Sequence, residues 1–149
     1  MGKYPALKFP KVALRAKKNG AKNLIWDDIR KMWLVLTGEE WVRQHAIAFL
    51  ISGCEVQKGA LAMEYPVEIN SQPQRADIVA FVKEKPWMLV ECKAADVTID
   101  KTVLDQAIRY NSVIGARYIF LTNGLTHYFF EIKNGTPIQI DFIPKATKA

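Results

Sequence analysis

The spacing of hydrophobic positions changes character several times along the chain, and each change predicts an element. Residues 1–22 mix Pro, Gly, Ala and basic residues without clear periodicity, which predicts an extended arm. Ile25-Trp26 and Lys31 to Leu36 are strand-like about a turn at Asp27-Asp28, so a short hairpin is expected over 24–36. Thr37-Gly-Glu-Glu then opens a helix to about Ser52. Its apolar positions Trp41, Val42, Ile47, Ala48, Phe49 and Leu50 cover a broad face, and Gly53 is a natural stop.

Strand signals follow at 60–69, 76–82 and 87–92, the last two joined by the polar turn Lys83-Glu-Lys-Pro as an antiparallel hairpin. From about Ile99 to Ile114 the period becomes helical, with Val103, Leu104, Ala107, Ile108, Asn111 and Ile114 on one stripe and Gly115 at its end. Tyr118 to Leu121 has the length and apolarity of a buried strand. Thr126–Ile132 and Pro137–Phe142 flank Asn134-Gly135, a strong hairpin signal. The sum is an α/β fold: one mixed β-sheet flanked by a preceding helix and a crossover helix. It divides into an arm (1–22), one domain (23–143) and a tail (144–149).

Composition narrows the class. The 149 residues are 50% hydrophobic and 24% charged, the balance of one globular domain with a real core. The longest apolar run, Ala46 to Ile51, is far short of a membrane span, and no secretory signal precedes it. Two cysteines, Cys54 and Cys92, make no disulfide framework and fit a reducing cytoplasm. Two histidines, His45 and His127, are too few for a zinc cluster. The net charge of +6 favours polyanionic partners. Lys3, Lys8, Lys11, Arg15, Lys17, Lys18 and Lys22 crowd the first segment, and Lys145 and Lys148 the last. Each alone reads as solvated surface; together they have the means to track a phosphate backbone.

Three charges sit where apolar residues are expected. Glu91 and Lys93 lie two apart and project from one face of an otherwise apolar strand. Asp77 stands near the start of the neighbouring strand, within reach of Glu91. Two carboxylates at one end of a buried hairpin repel each other unless a cation lies between them. Mg²⁺ suits that position, and a lysine beside it serves to orient or deprotonate water and to offset charge on a phosphate. The competing reading of Glu-x-Lys is a same-face ion pair. A shared site demands a particular register: a regular ladder pairing Val82 with Trp87 turns Asp77 to the wrong face, so an odd-numbered loop or a bulge near the site is expected.

The arrangement Asp77…Glu91-Cys92-Lys93 resembles the signature of the PD-(D/E)xK nuclease superfamily, and Gln106-Ala-Ile-Arg-Tyr110 resembles its accompanying Q-x-x-x-Y motif. Leu36-Thr-Gly-Glu-Glu-Trp-Val-Arg-Gln-His, Leu89-Val-Glu-Cys-Lys-Ala, Asp105-Gln-Ala-Ile-Arg-Tyr-Asn and Leu121-Thr-Asn-Gly-Leu-Thr-His-Tyr are similar to the N-terminal nuclease domain of type I restriction enzyme R subunits, over roughly 24–143. The resemblance implies a restriction-endonuclease-like core and an endonuclease that hydrolyses double-stranded DNA with Mg²⁺, which Mn²⁺ can replace. It implies that Asp77, Glu91 and the Cys92 main-chain carbonyl hold the metal and that Lys93 serves the attacking water. It further implies that Gln106 and Tyr110 steady Lys93 or contact phosphate. Glu40 has two readings: a metal-side carboxylate, or the partner of Thr37 in a capping box. Ala76 stands where the superfamily often has Pro. No Gly-x-x-x-x-Gly-Lys-Ser/Thr loop occurs in these residues, so translocation-coupled cleavage is not carried over. The expected companions are a motor or specificity subunit, or a second copy in a homodimer. The alternative is a catalytically silent nucleic-acid-binding module on the same fold. Trp26, Trp33, Trp41 and Trp87 read as packing, with a stacking position at a DNA edge as the competing role.

Overall fold

Nine strands and two α-helices follow one another in residues 4–149, the residues described by this computed structural model. Lys3 of the basic run lies outside the described residues. β1 (Ala16–Asn19), β2 (Lys22–Asp27) and β3 (Met32–Val35) form a small antiparallel sheet in that order. Helix α1 (Gly38–Ser52) follows. Then come β4 (Leu61–Ile69), β5 (Gln72–Val82), β6 (Lys85–Cys92), α2 (Lys101–Ile114), β7 (Tyr118–Thr122), β8 (His127–Lys133) and β9 (Thr136–Ile140). Strands β4 to β9 make a second sheet in sequence order, antiparallel except at β6–β7. That pair runs parallel because α2 carries the chain back across the sheet between them.

The helices form where the sequence supplies caps and an apolar stripe. Thr37 Oγ1 accepts the Glu40 N–H at 3.0 Å and starts α1. Asp100 accepts the N–H groups of Thr102 and Val103 and starts α2, which ends at Gly115 with φ 76°, a conformation that favours glycine. Val42, Ala46, Ile47 and Leu50 of α1 pack on one face of the large sheet, against Ile78, Ala80, Met88, Val90 and Phe120. Ala107 and Tyr110 of α2 pack on the other, against Val79, Leu89, Ile119 and Leu121. With both faces covered, β6 and β7 are apolar on both sides, as their sequence runs require.

The site depends on the register of β5 against β6. Val82 pairs with Lys85 across the two-residue turn Lys83-Glu84, whose φ values are both positive. Continued regularly, that register would put Asp77 and Glu91 on opposite faces. It shifts between Ala80 and Phe81: Phe81 pairs with Pro86, Ala80 with Met88, and Trp87 is the extra residue. Trp87 and Met88 consequently both enter the α1-side core, Trp87 edge-on to Tyr118. Beyond the bulge Ile78 opposes Val90, which sets Asp77 beside Glu91.

Three expectations need correction. The arm is irregular only to Arg15, because Ala16–Asn19 pairs with Lys22–Ile25; β1 is exposed throughout and so carries no alternating pattern. Nor is the arm free of the domain: Lys8 N–H donates to the Gly124 carbonyl at 2.7 Å, and the Phe9 ring lies 4.4 Å from His127 and 5.6 Å from Phe49. The expected tail is docked too, with Ala146 N–H on the Cys54 carbonyl and Lys145 Nζ on that of Gly53.

Phe120 is fully buried and stacks on Phe129 with centroids 4.2 Å apart. Phe120→Ala should lower the unfolding free energy by about 3–5 kcal/mol in urea titrations. A loss below about 1 kcal/mol would contradict this packing.

Candidate active site

Strands β5 and β6 end their regular pairing at Ile78 and Val90, one residue short of the acidic pair. There side chains replace the backbone ladder. Asp77 N–H donates to Glu91 Oε2 at 2.9 Å, and Cys92 N–H donates to Asp77 Oδ2 at 2.7 Å. Each carboxylate is thus fixed by a main-chain donor on the opposite strand, and the second oxygen of each has no such donor. The two carboxyls are within mutual hydrogen-bonding reach.

Burial dominates their electrostatics. It pushes Glu91 up to about 9, helped by the Asp77 charge and opposed by the Asp77 N–H and the Lys93 ammonium. Asp77 is also raised by burial, against the lowering effect of the Cys92 N–H. Lys93 follows β6, is half-buried, and has its own N–H tied to the Thr122 carbonyl at 2.9 Å. Its ammonium lowers Glu91 and also Glu39, in the first turn of α1. That turn meets the chain after Lys93 closely: a Cβ on Gly38 would lie 3.1 Å from Ala94 Cβ. Burial and the Asp77 charge raise Glu39 in turn. A cleft of about 400 Å³, lined in part by Tyr4, Trp41, Gly38, Ala94 and Ala95, opens beside this junction.

Glu40 is buried, and its carboxylate is held by Arg43 and Gln44, Gln44 Nε2 donating at 3.0 Å. Its N–H is capped by Thr37, but its carboxylate does not return the bond, so the capping box is only half formed. Arg43 also binds Glu64 on β4. Burial opposes the Arg43 charge, and the bonds to Glu40 and Glu64 outweigh it and raise the guanidinium pKa. Glu64 sits at the level of Asp77 with φ 51°, left-handed for a non-glycine residue.

On the α2 side Gln106 Nε2 donates to Tyr110 Oη at 2.9 Å, and that hydroxyl reaches Gln74 Oε1 at 3.5 Å. Burial and the Glu91 charge raise the Tyr110 hydroxyl. Gln106 has no hydrogen bond to Lys93 among the described residues; its amide is spent on Tyr110. The Cys92 thiol points into the α1-side core, and burial pushes it well above its ordinary value, so it is no nucleophile. His45 and His127 bond the Trp41 carbonyl and Thr122 Oγ1.

The structure therefore brings together Asp77, Glu91, Lys93 and Tyr110, with Gln106 one bond further out. It adds Glu39, Arg43, Glu64 and Gln74, which the sequence reading did not single out. Glu39 adjoins the Glu40 that was considered. Glu64 and Gln74 lie in strands where polar residues pass for solvent-facing, and no sequence signal marks them.

The donor set suits a hard divalent cation. Among the described residues no three His, Cys, Asp or Glu side chains are grouped for a metal. Two carboxylates fixed side by side do fit the chemistry of Mg²⁺, which is commonly held by one or two carboxylates and completed by water and phosphate.

A mixed sheet between two helices, with this acidic pair at the end of its central hairpin, is a restriction-endonuclease-like α/β fold. The chain belongs to the family described as type I restriction enzyme R protein N terminus (HSDR_N), which it matches over residues 38–145. Among solved structures it is similar to a fragment described as an HsdR subunit of a type I restriction enzyme from Vibrio vulnificus YJ016. The two share 20% sequence identity with a TM-score of 0.58, over 75% of this chain and 24% of that one. This chain thus spans about a quarter of that fragment's length. No curated protein matches it.

Two predictions follow from these charges. A carboxyl whose pKa rises on folding binds its proton more tightly in the folded chain. Its stabilisation is complete below the ordinary value of 4.5 and is lost as pH climbs towards about 9. In EDTA the melting temperature should therefore fall between pH 5 and 9, less steeply in Glu91→Gln; parallel slopes would contradict the acidic pair. Arg43→Ala strands two carboxylates and should cost about 3–5 kcal/mol in chemical denaturation. A cost near zero would show that the Arg43 pairs are not formed.

Proposed function

We propose that this chain is a Mg²⁺-dependent endonuclease domain of the PD-(D/E)xK type, hydrolysing phosphodiester bonds of double-stranded DNA. The observation that carries this is the crossed pair of bonds between Asp77 and the Glu91-Cys92 segment. It aims two carboxylates into one place with Lys93 next to them. Asp77, Glu91 and the Cys92 carbonyl would hold Mg²⁺, which when bound supplies charge against the phosphate and a water of lowered pKa. Lys93 would orient an attacking water and offset the charge that develops on the phosphate oxygens. Tyr110, fixed by Gln106 and Gln74, closes the α2 side of the site, and Glu39 gives its outer edge a further carboxylate. Glu40, committed to Arg43, braces the site from behind and keeps Glu64 in place.

Since the family is that of the R protein N terminus, we read the domain as the cutting module of a larger restriction assembly, in which partner components supply translocation or target choice.

The test is cleavage of supercoiled plasmid with Mg²⁺ or Mn²⁺. Asp77→Ala and Lys93→Ala should each reduce the rate by about 100-fold or more, the scale of a lost electrostatic contact to the reacting centre. Glu40→Gln should affect unfolding more than rate. Cleavage that survives both of the first two changes would refute the site. Failure of the wild type to cut with either metal would favour a silent binding module.

A further inference from the structure

We infer that the β1–β2 hairpin is a phosphate-docking finger that grips the duplex DNA beside the cleavage site. This rests on the nuclease reading above and assigns its DNA-contacting surface. Residues 4–35 contain eight lysines and arginines against two acids, Asp27 and Asp28. Both acids are already occupied, Asp27 by Arg30 and Asp28 by Lys31 and Lys58. Lys17, Lys18 and Lys22 have no acidic partner among the described residues, and all three are exposed.

Lys17 and Arg15 are held without being neutralised. Lys17 Nζ lies 4.2 Å from the centre of the Trp33 ring, and the Arg15 guanidinium lies 5.0 Å from that of Trp26. The two indoles meet edge to face at 5.4 Å, so the platform is itself packed. Such a surface presents fixed positive charge at little further entropic cost, which is what a phosphate backbone requires.

The register aims this surface. Asn19 pairs with Lys22, and Leu24 with Val35, so the Gly20-Ala21 turn lies at the end of the small sheet where β3 leaves for α1. Leu36 N–H bonds the Asn23 carbonyl, and Glu39 of the candidate site follows three residues later. Lys22, on the face that carries Lys17 and the indoles, and Lys18, on the opposite face, thus flank the end of the hairpin from which the chain leaves for α1. The family match begins at residue 38, after this sheet. The finger is therefore a property of this chain that the match does not supply.

The test measures binding of the full chain to a random-sequence duplex in EDTA by fluorescence anisotropy, as a function of KCl. The triple variant Lys17→Gln/Lys18→Gln/Lys22→Gln should lower the slope of log affinity against log salt by about 2–3, near 0.9 per lost phosphate contact. A control triple, Lys83→Gln/Lys85→Gln/Lys133→Gln, removes equal charge at the far end of the large sheet and should leave the slope unchanged. Equal losses in both triples, or no loss in the first, would overturn the assignment, as would a wild type that binds no duplex. Asp77→Ala should keep the full slope while losing cleavage, so failure of the nuclease reading and failure of the finger give different results.

Discussion

Where β5 and β6 part, two main-chain N–H groups are left without ladder partners, and each finds a carboxylate on the opposite strand. This exchange fixes most of the site's geometry. An unpaired N–H at this depth is costly, so the backbone itself holds Asp77 and Glu91 in single orientations. The same bonds carry part of the electrostatic load, since hydrogen bonds to a carboxylate favour its charged form. They do not outweigh burial: both groups still stand above their ordinary values. A site in this state attracts either protons or a cation, and the competition between them is built into its position.

The surrounding strands are bent to fit. Along β4, Leu61 and Met63 pack on the α1 side while Tyr65 and Val67 pack on the α2 side, although strict alternation would keep all four on one face. Partner strand β5 does the same, with Ile78 on one side and Ala76 on the other. Both reversals fall at one level, Glu64 beside Asp77, and Glu64 takes the left-handed conformation that permits the flip. Arg43 reaches across from α1 to bind Glu64 there. A strained residue at a functional site persists only when its surroundings over-determine it, and the buried Arg43 fork is the contact that does so. Arg43 thus reaches the site in two ways, through the backbone shape of β4 and through its charge, which favours the Asp77 carboxylate.

Much of this was legible in the sequence, for identifiable reasons. The helices carry caps and stripes, β6 and β7 are continuous apolar runs, and Asn134-Gly135 is an explicit turn signal. The parity of Asp77 and Glu91 even required an irregular hairpin, and Trp87 is that irregularity, although it lies nearer the turn than the site. What escaped has a common cause. Asn70-Ser71 and Lys83-Glu84 make left-handed two-residue turns without glycine, so the strands after them start earlier than expected, at Gln72 and Lys85 in place of 76 and 87. β1 is exposed on both faces and shows no pattern at all. Arg43 and Glu64 lie 21 residues apart, and nothing local in the chain announces that they meet.

The same logic separates what the two sheets contribute. At the level of Asp77 the large sheet buries Glu91 and half-buries Glu64, and hydrogen bonds or ion pairs hold both. The small sheet keeps its lysines in solvent, where indole rings steady them without cancelling their charge. A buried site gains precise geometry and strong fields but has little reach; an exposed cationic strand has the reach and little precision. The short Leu36–Gly38 passage joins the two, leading from the exposed cationic sheet into the first turn of α1, where Glu39 feels the Asp77 and Lys93 charges. Changes to the cationic strands should therefore leave the carboxylate geometry intact, because neither bond that fixes Asp77 and Glu91 runs through β1 or β2.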